Sequence, residues 1–300
     1  MRIAVTGGSG FIGNALVQYF LDRGDEVWVI TRSTGRVEHK HPKLHVISWE
    51  DVQSKPERLE GIHAIVNLAG ESINQRWTED AKERIIKSRL TAAEKLGKLV
   101  RALQRKPDVI INASGISTYG SSETSTFDES SPMVTTDFLS SVVHRWEAAA
   151  DAIGAKRLVK LRVGIVLGTE GGAFPKMALP YRLFAGGRMG SGKQWLSWIH
   201  VEDIVRLIAY CIDNDELQGP VNATAPEPVT NEEFGKAIGR AMKRPHWMPV
   251  PAFMLKLLLG ELSALLLEGQ RVLPQRAIDA GFRYDYPTID AAMDSLVSTS

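Results

Sequence analysis

The sequence holds a single cysteine, Cys211. One thiol excludes an internal disulfide framework and a multi-thiolate zinc site. Its place in the apolar run Ile204 to Cys211 reads as core rather than as a nucleophile. Neither sign of charge is in excess: 36 Lys and Arg stand against 35 Asp and Glu, a formal net charge of +1 over 300 residues. That balance argues against a general nucleic-acid binder, which carries a basic surplus. Long apolar runs are missing too. The most apolar stretch, Phe253 to Leu267, is interrupted by Lys256, Gly260 and Glu261 and is too short to span a bilayer. It reads instead as a partner-facing or pocket-covering helix. No internal repeat or low-complexity tract is visible. No signal peptide is expected ahead of the first strand, because Arg2 to Gly7 already belong to the fold. The expectation is a soluble, cytoplasmic protein with no bound metal and no membrane span.

What the chain does have is an alternation. Short β-rich runs at Arg2–Thr6, Glu26–Thr31, Leu44–Trp49, His63–Leu68, Asp108–Ala113 and Leu158–Leu167 are separated by helical stretches. In the first of these, Phe11, Ile12, Ala15, Leu16 and Phe20 recur on helical spacing up to Arg23, with Gly24 as a stop. A long helix is expected from Thr78, which caps it, to about Arg105, and another over Phe138–Ile153. Strands alternating with helices of this length imply right-handed crossovers and a parallel sheet. After Gly168 the rhythm breaks into glycine-marked loops, then Trp198–Asp203 leads into a helix and Val221–Thr224 forms a further strand. The predicted architecture is α/β, a doubly wound parallel sheet of about seven strands. Residues 1–168 form the nucleotide-binding domain, its sheet completed by about 198–224. Segments 169–197 and 225–300 form a smaller substrate lobe over the carboxyl edge of the sheet, where open α/β folds bind ligands.

The first strand runs into Gly7-Gly8-Ser9-Gly10-Phe11-Ile12-Gly13. In this spacing Gly7 permits the tight turn, Gly10 lets backbone approach a pyrophosphate, and Gly13 lets the helix pack on the sheet. The anion then sits among free N–H groups at the positive end of the helix. The end of the second strand selects the dinucleotide. NAD binders place Asp or Glu there to accept from the ribose 2′-OH; this chain has Thr31-Arg32-Ser33. Arg32 would attract a 2′-phosphate that a carboxylate would repel, which favours NADP(H) over NAD(H).

Together these residues resemble the extended short-chain dehydrogenase/reductase superfamily, whose members include NAD(P)-dependent sugar-nucleotide epimerases and dehydratases. The likeness rests on Thr6–Gly13, on Asn67-Leu68-Ala69-Gly70, on Ser114 to Gly120, on Arg162–Gly168 and on Trp198–Asp203. A narrower likeness, to the atypical branch of nucleoside-diphosphate-sugar-epimerase-like proteins, is carried by Glu71, Ser88-Arg89-Leu90, Trp146–Ala150, Gly190-Ser191-Gly192 and Leu267-Glu268-Gly269-Gln270. The resemblance implies a Rossmann fold and adds Leu68, Ala69, Gly70, Arg89, Ser114 and Val166 to the loop and Arg32 as cofactor contacts. It implies a small-molecule substrate of the sugar-nucleotide type and allows a homodimer.

The pattern fails where the family places its proton chemistry. Active members use a Tyr and, four residues on, a Lys that lowers its pKa. Counted back from Glu147, those positions are Leu139 and Val143, and Gly115 falls where the usual serine would stand. Leu196 occupies the place of a substrate-binding arginine found in some epimerases; Arg188, Lys193 and Arg271 are the cations available instead. Two readings follow. One is an NADP-dependent oxidoreductase or epimerase-like enzyme with displaced acid/base groups, for which Tyr119 and Ser117 are the candidates, ahead of His144 and His200. The other is a non-catalytic NADP(H)-binding redox sensor or regulator.

Overall fold

A computed structural model of the chain describes residues 1–36 and 40–298. Residues 299 and 300, the last of the expected substrate lobe, lie outside the described residues. Seven strands form one sheet: β1 (Arg2–Thr6), β2 (Glu26–Thr31), β3 (Leu44–Ser48), β4 (Ala64–Asn67), β5 (Val109–Gly115), β6 (Leu158–Val163) and β7 (Gly219–Ala223). Their order is β7-β6-β5-β4-β1-β2-β3, and every pairing is parallel. The central strands are apolar on both faces, as a parallel sheet covered on each side requires. The strand order reverses between β1 and β4, which makes that junction the switch point where doubly wound folds open a crevice.

Helices α1 (Phe11–Asp22), α2 (Trp49–Ser54), α3 (Glu79–Ala102), α4 (Phe138–Asp151) and α6 (Val201–Asp213) flank it, while α5 (Phe174–Arg182), α7 (Asn231–Met242) and α8 (Ala252–Leu259) belong to the C-terminal region. One core packs the sheet against α1 and α6, through Leu16, Val17, Phe20, Leu207 and Ile208. A second, on the opposite face, joins α3 and the end of α4 through Ala92, Leu96, Leu99 and Ala150. A third, separate core holds the C-terminal region together around Phe174, Tyr181, Trp198, Phe234 and Met293. Cys211 is buried in the first core, where burial pushes its thiol up to about 12.

Two elements depart from the expected pattern. The long helix stops at Ala102, with Leu103 already extended. The strand expected to run unbroken from Leu158 to Leu167 divides at Gly164. A Cβ there would stand 2.4 Å from the Ser197 carbonyl oxygen, which accepts from the Ile165 N–H at 2.9 Å, so the Ser197 backbone runs beside the strand at a distance that only glycine allows. Beyond the break, Ile165–Leu167 leaves the main sheet and pairs with Trp198–His200. That detour carries Val166 and the start of the C-terminal region over the carboxyl edge.

Candidate functional site

The carboxyl edge gathers the residues that the sequence singles out. The β1–α1 turn is built around two close approaches. Gly7 has φ +71°, and a Cβ on it would lie 2.8 Å from the Leu68 carbonyl carbon and oxygen. The glycine turn and the end of β4 therefore touch backbone to backbone. A Cβ on Gly13 would stand 2.2 Å from the Gly7 oxygen. At the tip, Gly10 caps α1 with no side chain and no acidic residue follows in the first turn, whereas α3, α4 and α7 are capped by Thr78, Asp137 and Thr230. With no side-chain cap among the described residues, the positive start of α1 is left open to an anion.

The flanking residues fall into place around that turn. Thr31 and Arg32 end the neighbouring strand β2; Arg32 is exposed and pairs with no carboxylate among the described residues. Leu68, Ala69 and Gly70 end β4 on the other side. Arg89 props this segment from behind, its guanidinium donating to the Glu71 and Ile85 oxygens (3.0 and 2.9 Å) and stacking over Trp146. Burial lowers it to about 10, against the pull of Glu71. Phe11 and Ile12 pack against the first core. The Phe11 ring fits into space left by Gly168, Gly171 and Gly172, which explains glycines that the sequence showed only as loop markers. Below the edge, Thr6, Asn67 and Asn112 form a buried chain of hydrogen bonds (2.6 and 2.6 Å) that ties the ends of β1, β4 and β5 together.

Ser114 departs from its expected role. Its hydroxyl turns inward and donates to Glu147 Oε1 at 2.7 Å. Glu147 in turn accepts from Arg162 through both oxygens, at 2.8 and 3.0 Å. Burial alone would raise the Glu147 carboxyl, but Arg162, the Ser114 hydroxyl and Lys160 hold it below the ordinary carboxylate range. Arg162 also donates to the Tyr119 hydroxyl (2.9 Å), which donates onward to Asn222 Oδ1 (2.8 Å).

Tyr119 is thereby corrected as an acid/base candidate. Its ring is 2 % exposed, stacked on Phe127, with both hydrogen-bonding functions of the hydroxyl engaged inside the protein. Burial pushes its pKa up, opposed by Arg162. Tyr119→Phe should therefore destabilise the fold by roughly 1–3 kcal/mol, because two buried partners lose their hydrogen bonds; thermal melting reads it directly. His200 is likewise a core residue. It caps α6 through Nδ1, stacks on Tyr286, and burial pushes its pKa down. His144, half-buried in the middle of α4, shares a hydrogen bond with the Thr135 hydroxyl.

Ser117 is the candidate that remains. Its hydroxyl engages no side chain of the described residues and lies 3.6 Å from where a Cβ on Gly115 would be. It stands beside the position of the missing serine. Val143, at the missing lysine's position, is 3.2 Å from the same point, so the apolar replacement crowds the space that a serine there would use.

Past Ser117 the site continues into the C-terminal region by a route that sequence reasoning missed. The Gln270 amide donates to the Ile116 oxygen at 2.9 Å. Ser122 N–H donates to the Gly269 oxygen. Arg271 lies over the Trp195 ring at 5.0 Å, and the indole is fixed by the Glu123 oxygen. Arg188 and Lys193 line the same open groove as Trp195, together with Glu123 and Glu232. Of the three cations expected to replace the missing arginine, Arg188 and Lys193 line this groove and Arg271 adjoins it through Trp195, while Leu196 is buried. The sequence signals were the short matches at Gly190–Gly192 and Leu267–Gln270, which carry no geometry by themselves.

The family model for the NAD dependent epimerase/dehydratase family matches residues 3–223, and a second model, described only as a domain of unknown function, matches residues 250–296. The epimerase family protein YfhF of Bacillus subtilis is 43% identical over 99% of this chain and 98% of its own length. The crystal structure of human epimerase family protein SDR39U1 with NADPH superposes with a TM-score of 0.92 at 36% identity, covering 100% of both chains. The nucleoside-diphosphate sugar epimerase from Corynebacterium glutamicum superposes with a TM-score of 0.78 at 27% identity, over 100% of this chain and 59% of that one. With the glycine cradle, the parallel sheet and these matches in agreement, the chain belongs to the NAD-dependent epimerase/dehydratase family.

Proposed function

We propose that this protein binds NADP(H) and uses it for hydride transfer, as an oxidoreductase or epimerase-like enzyme, on a small anionic substrate held between the sheet edge and the C-terminal region. The observation that carries the reading is the pairing of an uncapped, glycine-lined helix start with an exposed Arg32 that meets no carboxylate among the described residues and with no acid at the end of β2. The residues fit the cofactor: Gly7, Gly10 and Gly13 would receive the pyrophosphate, Thr31 and Arg32 the 2′-phosphate, and Leu68 to Gly70 would line the adenosine side with Arg89 behind. Val166 would border the nicotinamide. The bound cofactor supplies or accepts the hydride. The chain's part is to orient it and to present Ser117 beside the reacting carbon, while Arg188, Lys193 and Arg271 meet the substrate's negative charge. A relative described as a nucleoside-diphosphate sugar epimerase supports a sugar nucleotide as that substrate.

Arg32→Ala should weaken NADPH by roughly tenfold to a hundredfold, the range for losing a hydrogen bond to a charged group, and leave NADH nearly unchanged. Fluorescence titration with both nucleotides measures it; equal NADPH affinity in the two proteins would sink the assignment. A second reading, a non-catalytic NADP(H)-responsive protein, is favoured by Leu139, Val143 and the internally bonded Tyr119. Incubating the NADPH-loaded protein with sugar nucleotides and small carbonyl compounds separates the two. Turnover that collapses in Ser117→Ala supports the enzyme, and no turnover over a wide panel supports the binding protein.

A further inference from the structure

Outside the cofactor cleft, the C-terminal region exposes a large apolar ribbon. Segments 184–190 and 246–250 run side by side, bridged at Gly186–His246 and Met189–Val250. They present Phe184, Trp247 and Met248 to solvent. The Trp247 indole N–H donates to the Phe184 oxygen at 2.9 Å, which fixes the ring at the surface. Phe184 itself has φ +59°, a conformation that a bulky residue adopts only when its surroundings impose it. Two residues after Val250, α8 begins. Leu255 is buried, while Phe253, Met254, Leu257 and Leu258 face outward, Leu257 at 83 % exposure. Leu179 and Leu183, one turn apart at the end of α5, are exposed as well. The ribbon comprises on the order of 1,000 Å² of apolar surface, against the roughly 300–600 Å² of the largest patch on an ordinary monomer.

The charge around it is one-sided. From Gly171 to Val201, and again from Phe234 to Gly260, the sequence has no Asp or Glu. Lys176, Arg182, Lys243, Arg244 and Lys256 lie along the ribbon and pair with no carboxylate among the described residues. A shallow groove is lined by Lys236, Arg240, Lys243, Arg244 and His246; Glu232 answers Lys236 and His246 and Asp290 answers Arg240, which leaves Lys243 and Arg244 as its cations without a carboxylate partner among the described residues. In a chain of net charge +1, these cations are concentrated where the apolar side chains are. A two-fold contact between copies would set this surface against itself, cations facing cations with no acid in either segment to answer them. An anionic bilayer answers both features: the acyl boundary takes Phe, Trp and Leu, and the headgroup phosphates take Lys and Arg.

We propose that the surface formed by α8, the end of α5 and the 246–248 turn docks on anionic membranes. The protein would lie on the bilayer without crossing it, in keeping with there being no helix among the described residues long and apolar enough to span.

The test is flotation of the full chain with phosphatidylcholine vesicles, with and without phosphatidylglycerol. The protein should float with the mixed vesicles and not with phosphatidylcholine alone, and rising salt should release it. Arg182→Glu and Lys256→Glu should each weaken binding roughly tenfold, and Leu257→Glu with Leu258→Glu should abolish it. All these side chains are exposed, so NADPH affinity should stay unchanged and report an intact fold. Tryptophan emission should shift to the blue on vesicles in the parent and much less in Trp247→Phe. Failure to float with mixed vesicles would overturn the proposal. So would flotation indifferent to the Leu257 and Leu258 changes. A dimer in light scattering that those changes split, with no vesicle binding, would make the surface a self-contact instead.

Discussion

Gly13→Ala is expected to abolish NADPH binding and lower the melting temperature, whereas Gly10→Ala should abolish binding with the fold left nearly intact. The difference lies in what each added methyl would meet. At Gly13 the new carbon would stand 2.2 Å from the Gly7 oxygen and 2.8 Å from the Gly8 Cα. Both are backbone atoms of the turn itself, with no flexible side chain to swing aside. The turn would have to move, and it is packed against the Leu68 backbone on one side and Val29 on the other. Overpacking of this kind costs roughly 1–3 kcal/mol, a drop of several degrees in the melting temperature. At Gly10 the nearest atom is the Gly7 oxygen at 3.2 Å, a contact that relaxes by a few tenths of an ångström. There the methyl does its damage by standing where the pyrophosphate must approach. Thermal melts of both variants, with and without NADPH, separate the effects. If Gly10→Ala is stabilised by NADPH as fully as the parent, the cradle is not where the cofactor binds.

The contrast also marks what could be read from the chain before its structure. The glycine spacing, the apolar strands and the Arg32 position are local patterns, and each corresponds to a local physical need. The carboxyl-edge cluster follows from them because parallel topology brings strand ends together. Other features were hidden for equally physical reasons. Gly164 looks like any residue in an apolar run; its necessity comes from the backbone of Ser197, far along the chain, running close beside it. Tyr119 reads as an acid/base candidate close after a strand, yet Arg162 and Asn222, from β6 and β7, occupy its hydroxyl. Exposure of the apolar 253–267 stretch was half legible. A covering or partner-facing helix was expected, but the one-sided charge around it emerges only when segments 171–201 and 234–260 are seen folded together.

Glu147→Gln is expected to be the most destabilising of the conservative changes, by about 3–5 kcal/mol, because it leaves Arg162 charged, buried and unanswered. The pair was concealed in the sequence as a charged residue within an apolar strand and an acid on a helix. Register explains the meeting: Ser114 of β5 is opposite Arg162 of β6, and α4 lies across both, so Glu147 reaches each of them. Its carboxyl is held below the ordinary range in the folded chain and would titrate near 4.3 when unfolded. Its contribution is therefore complete above the unfolded value and is lost as pH falls through the lower folded one. The parent should lose stability steeply in that acid window, and Glu147→Gln should show a shallower slope there from a lower plateau. Denaturant melts across the range measure both. The double change Glu147→Leu with Arg162→Met tests the cause. If uncompensated charge is the damage, removing both charges recovers much of the loss, since buried ion pairs are often no better than apolar packing. If the double variant is no more stable than Glu147→Gln, the pair instead serves through the hydrogen bonds it extends to Ser114 and Tyr119, and the network holds β5, β6 and α4 as one unit.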